Sequence, residues 1–141
     1  MSENTLIRMG SVVVLAWADS GAVLACEQDA QELIAVAWET GASLLAIPVG
    51  RLAPAFFDLR SGLAGVVLQK FVNYRLRVAI IGEIAVYTRG SEALAEFVSE
   101  SNAGRSVWFL PSRADLQARL LLADQGGLSV AQDQVSWGGR Y

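Results

Sequence analysis

Two acidic side chains, Asp58 and Glu83, each come after an apolar run that has the composition of a buried strand. Because the carboxyl ends of parallel strands meet at one edge of a sheet, the two carboxylates are candidates for general acid and base chemistry. Arg60 would add a planar guanidinium, a group that binds anions, to the same set of polar groups. The simpler interpretation is that one carboxylate caps a helix and the other is solvated.

A serine and a glycine, Ser61-Gly62, stand where the next helical pattern begins. A helix N-terminus has unpaired amides and a partial positive charge, so it favours a bound anion or a phosphorylated serine. Arg60, Ser61 and Gly62 are therefore the candidate phosphoacceptor or anion-binding residues. The competing interpretation is that Ser61 is only an N-cap, which stabilises a helix by ~1 kcal/mol.

The other candidates are residues that would line an apolar pocket or contact a partner near the strand ends. They are Phe56, Phe57, Asp58, Glu83, Tyr87, Arg89 and Trp108. Any chemistry would depend on carboxylate, tyrosine or arginine groups, because the chain has no histidine. With a single cysteine as well, we expect no metal and no cofactor.

Composition limits the class of protein. The 141 residues are 53% hydrophobic and 18% charged, which indicates a folded globular chain rather than a disordered one. A net charge of -3 without a basic cluster argues against nucleic acid, and the apolar run Val12–Ala18 is too short for a membrane span. One cysteine, Cys26, and no basic leader favour the reducing cytoplasm.

Residue spacing predicts the elements that would position these groups. Ile7–Trp17 and Ala22–Cys26 are strand-like and so closely linked that they predict an antiparallel hairpin. Asp29 is the predicted cap of a first helix, and Gly41 its predicted end. The side chains expected on the inward face of that helix are Ala30, Leu33, Ile34, Ala37 and Trp38.

After the first helix, apolar runs typical of strands alternate with segments whose apolar residues have the spacing of a helix. A second helix over Ser61–Asn73 is expected to turn Leu63, Val66, Val67 and Phe71 inward. The remaining predicted elements are strands Ser43–Val49, Leu76–Gly82 and Ser106–Leu110, and helices opened by Ser91 and Ser112. The order ββαβαβαβα predicts an α/β fold: a mostly parallel mixed sheet with an N-terminal antiparallel hairpin and helices packed on it. Residues 1–127 would be a single domain, and residues 128–141 a tail or an extra edge strand.

Three stretches of the chain resemble one family. They are Pro54–Phe71, Tyr74–Gly82 and Phe97–Arg105. Together they resemble the bacterial family called domain of unknown function 4180, over roughly Val12 to Leu122. That family implies no settled activity.

A more distant resemblance concerns the element order and the segment Asp58–Gly65. Both are similar to STAS domains, the anti-sigma-factor-antagonist fold. In that family a segment Asp-Ser-Ser-Gly-Leu-Gly opens the second helix, and a partner kinase phosphorylates its second serine. The resemblance implies that Ser61 is the phosphoacceptor, although Leu59-Arg60 stand where the family has one serine.

These observations leave three hypotheses for function. The first is a non-catalytic cytoplasmic regulatory module that contacts a protein partner near Ser61 and is switched by phosphorylation or anion binding. The second is a small-molecule-binding protein or enzyme that uses Asp58, Arg60 and Glu83 in an aromatic-lined pocket. The third is a homodimer with a two-fold contact over a hydrophobic helix face.

Overall fold

Strands and helices alternate along residues 4–126, the part of the chain that the computed structural model describes. The predicted tail, residues 128–141, lies outside it. Three 3-10 turns, over residues 49–51, 54–57 and 59–61, connect the third strand to the second helix. The elements in chain order are β1 (Thr5–Met9), β2 (Val12–Ala16), α1 (Glu27–Thr40), β3 (Leu44–Pro48), α2 (Leu63–Asn73), β4 (Arg77–Ile81), α3 (Ala85–Thr88), α4 (Glu92–Ala103), β5 (Val107–Leu110) and α5 (Arg113–Gly126).

The strands pair in the order in which they occur along the chain, β1-β2-β3-β4-β5. β1 and β2 are antiparallel, and every later pair is parallel. Each parallel strand is connected to the next strand in the sheet, always in the same direction. Since such connections are right-handed, the helices within them lie on the same face of the sheet. The predicted fold, a mixed sheet with an antiparallel hairpin and packed helices, is confirmed, with the short α3 as an addition.

Strand residues alternate between two apolar layers, as the period of two requires. On β3, Leu45 and Ile47 pack with α1, α2 and α4, while Leu44 and Ala46 lie on the opposite face. Leu116 of α5 covers that opposite face. The sheet is thus enclosed by helices on both sides, which explains the continuously apolar sequence of its central strands.

An antiparallel hairpin stands at the N-terminus, as predicted, but the predictions of its two strands and of its turn were wrong. The chain reverses at Gly10-Ser11, inside the single strand expected over Ile7–Trp17, so that Met9 pairs with Val12. Gly10 has a φ of 64°, which the first position of a tight two-residue hairpin turn requires. The segment expected to form the second strand is a loop in which Leu24 alone bridges to Leu52.

Local capping signals were mostly correct. The Leu94 amide donates to Ser91 Oγ over 3.1 Å at the start of α4, and Gly41 ends α1 in the left-handed conformation. Asp29 is not the cap of α1, because the helix already begins after Cys26 and the Asp29 carboxylate accepts from the Ala25 amide. The Cys26 thiol is exposed rather than buried in a strand.

Two residues expected on inward helix faces are exposed. Trp38 of α1 is 63% exposed, and Val66 of α2 is 48% exposed. Each lies at the edge of the apolar stripe of its helix, where the spacing cannot distinguish core from surface. None of the described helices has the length and hydrophobicity needed to cross a bilayer.

Candidate functional site

The connections that follow β3 and β4 leave the same edge of the sheet, because these strands are parallel neighbours in register from Leu44↔Arg77 to Pro48↔Ile81. The ring of Phe57, from the first connection, stacks on the ring of Tyr87 in α3, with centroids 4.1 Å apart and planes 10° apart. Two of the candidate residues, Phe57 and Tyr87, are therefore in contact.

Phe56 and Phe57 anchor the β3–α2 connection in the core. Both are buried, and their rings meet edge to face at 5.2 Å. The structure therefore places these two candidates beneath the surface, where they fix the path of the connection and are not accessible to a partner.

Residues 58–62, hereafter the Ser61 turn, form the surface of this connection. Ser61 is exposed, its Oγ donates to the Ala55 carbonyl over 2.6 Å, and it accepts from the Leu63 amide over 3.1 Å. Gly62, with a φ of 79°, is the last residue of the turn, and α2 begins at Leu63 rather than at Ser61. The Ser61 hydroxyl is thus hydrogen-bonded to the first backbone amide of α2.

Asp58 and Arg60 complete the Ser61 turn. Asp58 Oδ1 accepts from the Arg60 amide over 3.1 Å, and Arg60 Nε lies 3.4 Å from the same oxygen. The Arg60 side chain is 93% exposed, and an ion pair so open to water contributes little stability. Asp58 is therefore a capping residue, and Arg60 is an exposed cation in a weak ion pair with it.

Glu83 and Arg89 lie at the two ends of the short α3. Glu83 Oε1 accepts from the Ala85 amide over 3.3 Å, and Arg89 Nε donates to the Ala85 carbonyl over 3.3 Å. Both side chains are exposed. Each of the two predicted acid–base carboxylates, Asp58 and Glu83, is thus hydrogen-bonded to its own loop.

Trp108 belongs to the other face of the sheet. The guanidinium groups of Arg77 and Arg119 lie over its ring, 4.8 Å and 4.2 Å from the centroid, and its Nε1 donates to the Gly104 carbonyl. Desolvation by burial lowers the pKa of Arg119 from its ordinary value. The structure does not bring Trp108 to the Ser61 turn.

Sequence reasoning missed Arg51, which holds the start of the β3–α2 connection in place. Only 6% of Arg51 is exposed, its guanidinium lies 3.7 Å from the Trp17 ring centroid, and it donates to the carbonyls of Ala18, Ser20 and Ala22. Burial lowers the pKa of this guanidinium. No local pattern marks Arg51, because all of its partners are about thirty residues earlier in the chain.

A second surface lies along the outer sides of α1 and α2, hereafter the α1–α2 face. Trp38, Val66 and Tyr74 (39% exposed) are its apolar residues, and the rings of Trp38 and Tyr74 meet edge to face at 5.9 Å. Grooves of about 520 and 440 Å³ run along it and share Asn73 and Tyr74. An ion pair between Lys70 Nζ and Glu27, 3.0 Å long, joins the two helices.

The fold and these surfaces define an α/β protein with a sequentially ordered mixed sheet and an exposed serine at the start of its second helix. The chain belongs to the family described as Domain of unknown function (DUF4180), whose model matches residues 9–120. The resemblance to that family is thereby confirmed. No curated protein and no solved structure matches the chain, so the resemblance to STAS domains stays a prediction.

Proposed function

We propose that this protein is a non-catalytic regulatory module that contacts a protein partner at the Ser61 turn, and that phosphorylation of Ser61, or an anion bound there, switches the contact. One observation carries the proposal: Ser61 is exposed, its hydroxyl is held 3.1 Å from the first amide of α2, and the preceding residue, Arg60, has a side chain that is 93% exposed.

A phosphate on Ser61 would change the turn in two opposite ways. It adds a charge of about −1.5 to −2 beside a helix N-terminus, where negative charge is stabilised by about 0.3–1 kcal/mol. It also removes the hydroxyl proton that now binds the Ala55 carbonyl over 2.6 Å. The modified turn would therefore exchange an internal hydrogen bond for a surface charge, which alters what a partner meets.

The catalytic alternative has less support from the geometry. It needs Asp58 and Glu83 to act together, but each carboxylate caps its own loop. It also needs an aromatic-lined pocket, whereas Phe56 and Phe57 fill the core and Trp108 lies across the sheet. An exposed turn with satisfied carboxylates supports recognition by another protein rather than a reaction.

The proposed setting is the cytoplasm. Cys26 is exposed and free, with its thiol at the start of α1. An exposed free thiol persists where thioredoxin and glutathione keep it reduced. This compartment also contains the nucleoside triphosphate that a kinase would use to modify Ser61.

Intact-mass and peptide spectrometry of the protein from its natural host test the switch directly. We expect a fraction of the chains to carry one phosphate, located on Ser61. Pull-downs from the same host then compare wild type with Ser61→Ala and Ser61→Glu, and we expect Ser61→Glu to change the capture of at least one partner by about tenfold.

Ser99→Glu is the matched control, because Ser99 is an exposed serine on α4, away from the Ser61 turn. It should leave the captured set unchanged. An unphosphorylated Ser61 in the host, together with the same partners for all four proteins, would refute the proposal.

A further inference from the structure

A separate groove, hereafter the Trp17 groove, lies between the N-terminal half of α1 and the loop that follows β2. Its volume is about 210 Å³, and the residues that line it include Trp17, Val23, Asp29, Glu32, Leu33 and Val36. We propose that this groove binds a small organic cation, an ammonium group on a short apolar chain. The Trp17 groove does not include the Ser61 turn, so this proposal does not depend on the proposed function.

The fold leaves the Trp17 groove open because no helix connects β1 to β2. These strands are joined by Gly10-Ser11 alone, whereas α1 lies in the connection from β2 to β3. The side of α1 away from α2 therefore has no helix of residues 4–126 beside it. Trp17 directly follows β2, so the groove lies at the carboxyl ends of the parallel strands, where open α/β sheets bind their ligands.

One stripe of α1 forms a wall of the groove. Its side chains have the i, i+3, i+4, i+7 spacing of a single helix face and are those of Asp29, Glu32, Leu33 and Val36. Leu33 is buried and Val36 is half-buried, while Trp17 and Val23 come from the loop after β2. These apolar side chains would contact the hydrocarbon part of a ligand, and the two carboxylates would select its charge.

The two carboxylates of this stripe are not balanced by a cation. Both ion pairs of residues 4–126 lie elsewhere, so neither Asp29 nor Glu32 has a cationic partner in that part of the chain. Asp29 Oδ2 accepts from the Ala25 amide over 2.9 Å, which holds this carboxylate in place at the groove. Like charges three residues apart on a helix repel each other. A bound ammonium group, which has three donors, would remove that repulsion.

Arg51, although close to Trp17, does not make this groove an anion site. Its guanidinium lies 3.7 Å from the Trp17 ring centroid, but Arg51 is not among the residues that line the groove. Its donors are directed to the carbonyls of Ala18, Ser20 and Ala22. No lysine or arginine of the described residues lines the groove. An anion would therefore meet two carboxylates and no opposite charge.

The volume of the groove limits the size of the ligand. About seven water molecules would fill 210 Å³ in the liquid. Pockets for drug-sized ligands have volumes of about 300–1,000 Å³. The ligand is therefore a short aliphatic amine in its ammonium form, and not a nucleotide or a folded segment of another protein.

Heteronuclear NMR titration of the full-length chain with n-butylammonium chloride, at constant ionic strength, is the test. We expect saturable shifts of the Trp17 indole N–H and of amides in residues 23–36, with a Kd on the order of 1 mM for so small a ligand. The uncharged n-butanol should bind about tenfold more weakly, and butyrate should not bind. Asp29→Asn and Glu32→Gln should each weaken butylammonium binding by about fivefold. Asparagine keeps an oxygen that can accept from the Ala25 amide, so Asp29→Asn should remain folded.

The control is Glu39→Gln, which removes an exposed acid of the same helix outside the groove and should leave the Kd unchanged. Circular dichroism verifies that each variant is folded. The absence of saturable shifts in the wild type overturns the proposal, and so does equal binding of n-butanol or any binding of butyrate in the groove. Shifts confined to the α1–α2 face, or an unchanged Kd for both Asp29→Asn and Glu32→Gln, would overturn it as well.

Discussion

The guanidinium of Arg51 lies over the indole of Trp17, 3.7 Å from the ring centroid, and joins residues that are far apart in the chain. Its hydrogen bonds to the carbonyls of Ala18, Ser20 and Ala22 hold the loop after β2 against the connection that leads to the Ser61 turn. A buried cation satisfied by carbonyls is sensitive to replacement, because each carbonyl left without a donor destabilises the folded state.

Arg51→Met should therefore lower the free energy of unfolding by about 3 kcal/mol, through the lost donors and the lost stacking on Trp17. Arg51→Lys should recover only part of this, since an ammonium cannot reproduce the planar stacking and the fork of donors. Urea denaturation measures both. Arg8→Met, at an exposed residue of β1, is the control and should stay within about 0.5 kcal/mol of wild type; a similar loss for both methionine variants would contradict this account.

Gly21→Ala should destabilise the protein by about 2 kcal/mol, because the backbone φ of Gly21 is 141° and an added Cβ would lie 2.9 Å from Arg51 Cζ. Gly50→Ala is the control, since a Cβ at Gly50 would have nothing within 4 Å. In the Arg51→Met background the cost of Gly21→Ala should fall, and thermal unfolding of the four combinations measures that coupling. Fully additive costs would show that Arg51 and Gly21 do not interact.

Phe57→Ala should lower the free energy of unfolding by about 3 kcal/mol, as the loss of a buried ring that stacks on Tyr87 leaves a cavity. Because Phe57 anchors the Ser61 turn in the core, Phe57→Ala should accelerate amide hydrogen exchange at residues 58–63 more than in β4. Val86→Ala, next to Tyr87 but exposed, should change neither quantity. Uniform acceleration across the chain would mean that Phe57 stabilises the fold without holding the turn.

Local features of the sequence were sufficient for much of the architecture. Helix starts at Ser91 and Ser112 were predicted because a cap depends only on residues three positions apart, and both caps are present. The capping role of Asp58 was also foreseen as the simpler interpretation. The position of the hairpin turn was missed, because the apolar run continues through Gly10-Ser11 without a change of period.

The sequence by itself determined the family, the α/β class and the alternation of long helices with parallel strands from α1 onward, since these follow from residue patterns that each helix or strand carries within itself. Only the tertiary structure decided which apolar residues stay exposed, such as Trp38, and which candidates become core, such as Phe57. The same holds for Arg51, whose partners lie about thirty residues away. The physical reason is that exposure and long-range pairing depend on how helices and strands pack against one another. That packing involves residues far apart in the sequence, so no local pattern reveals it.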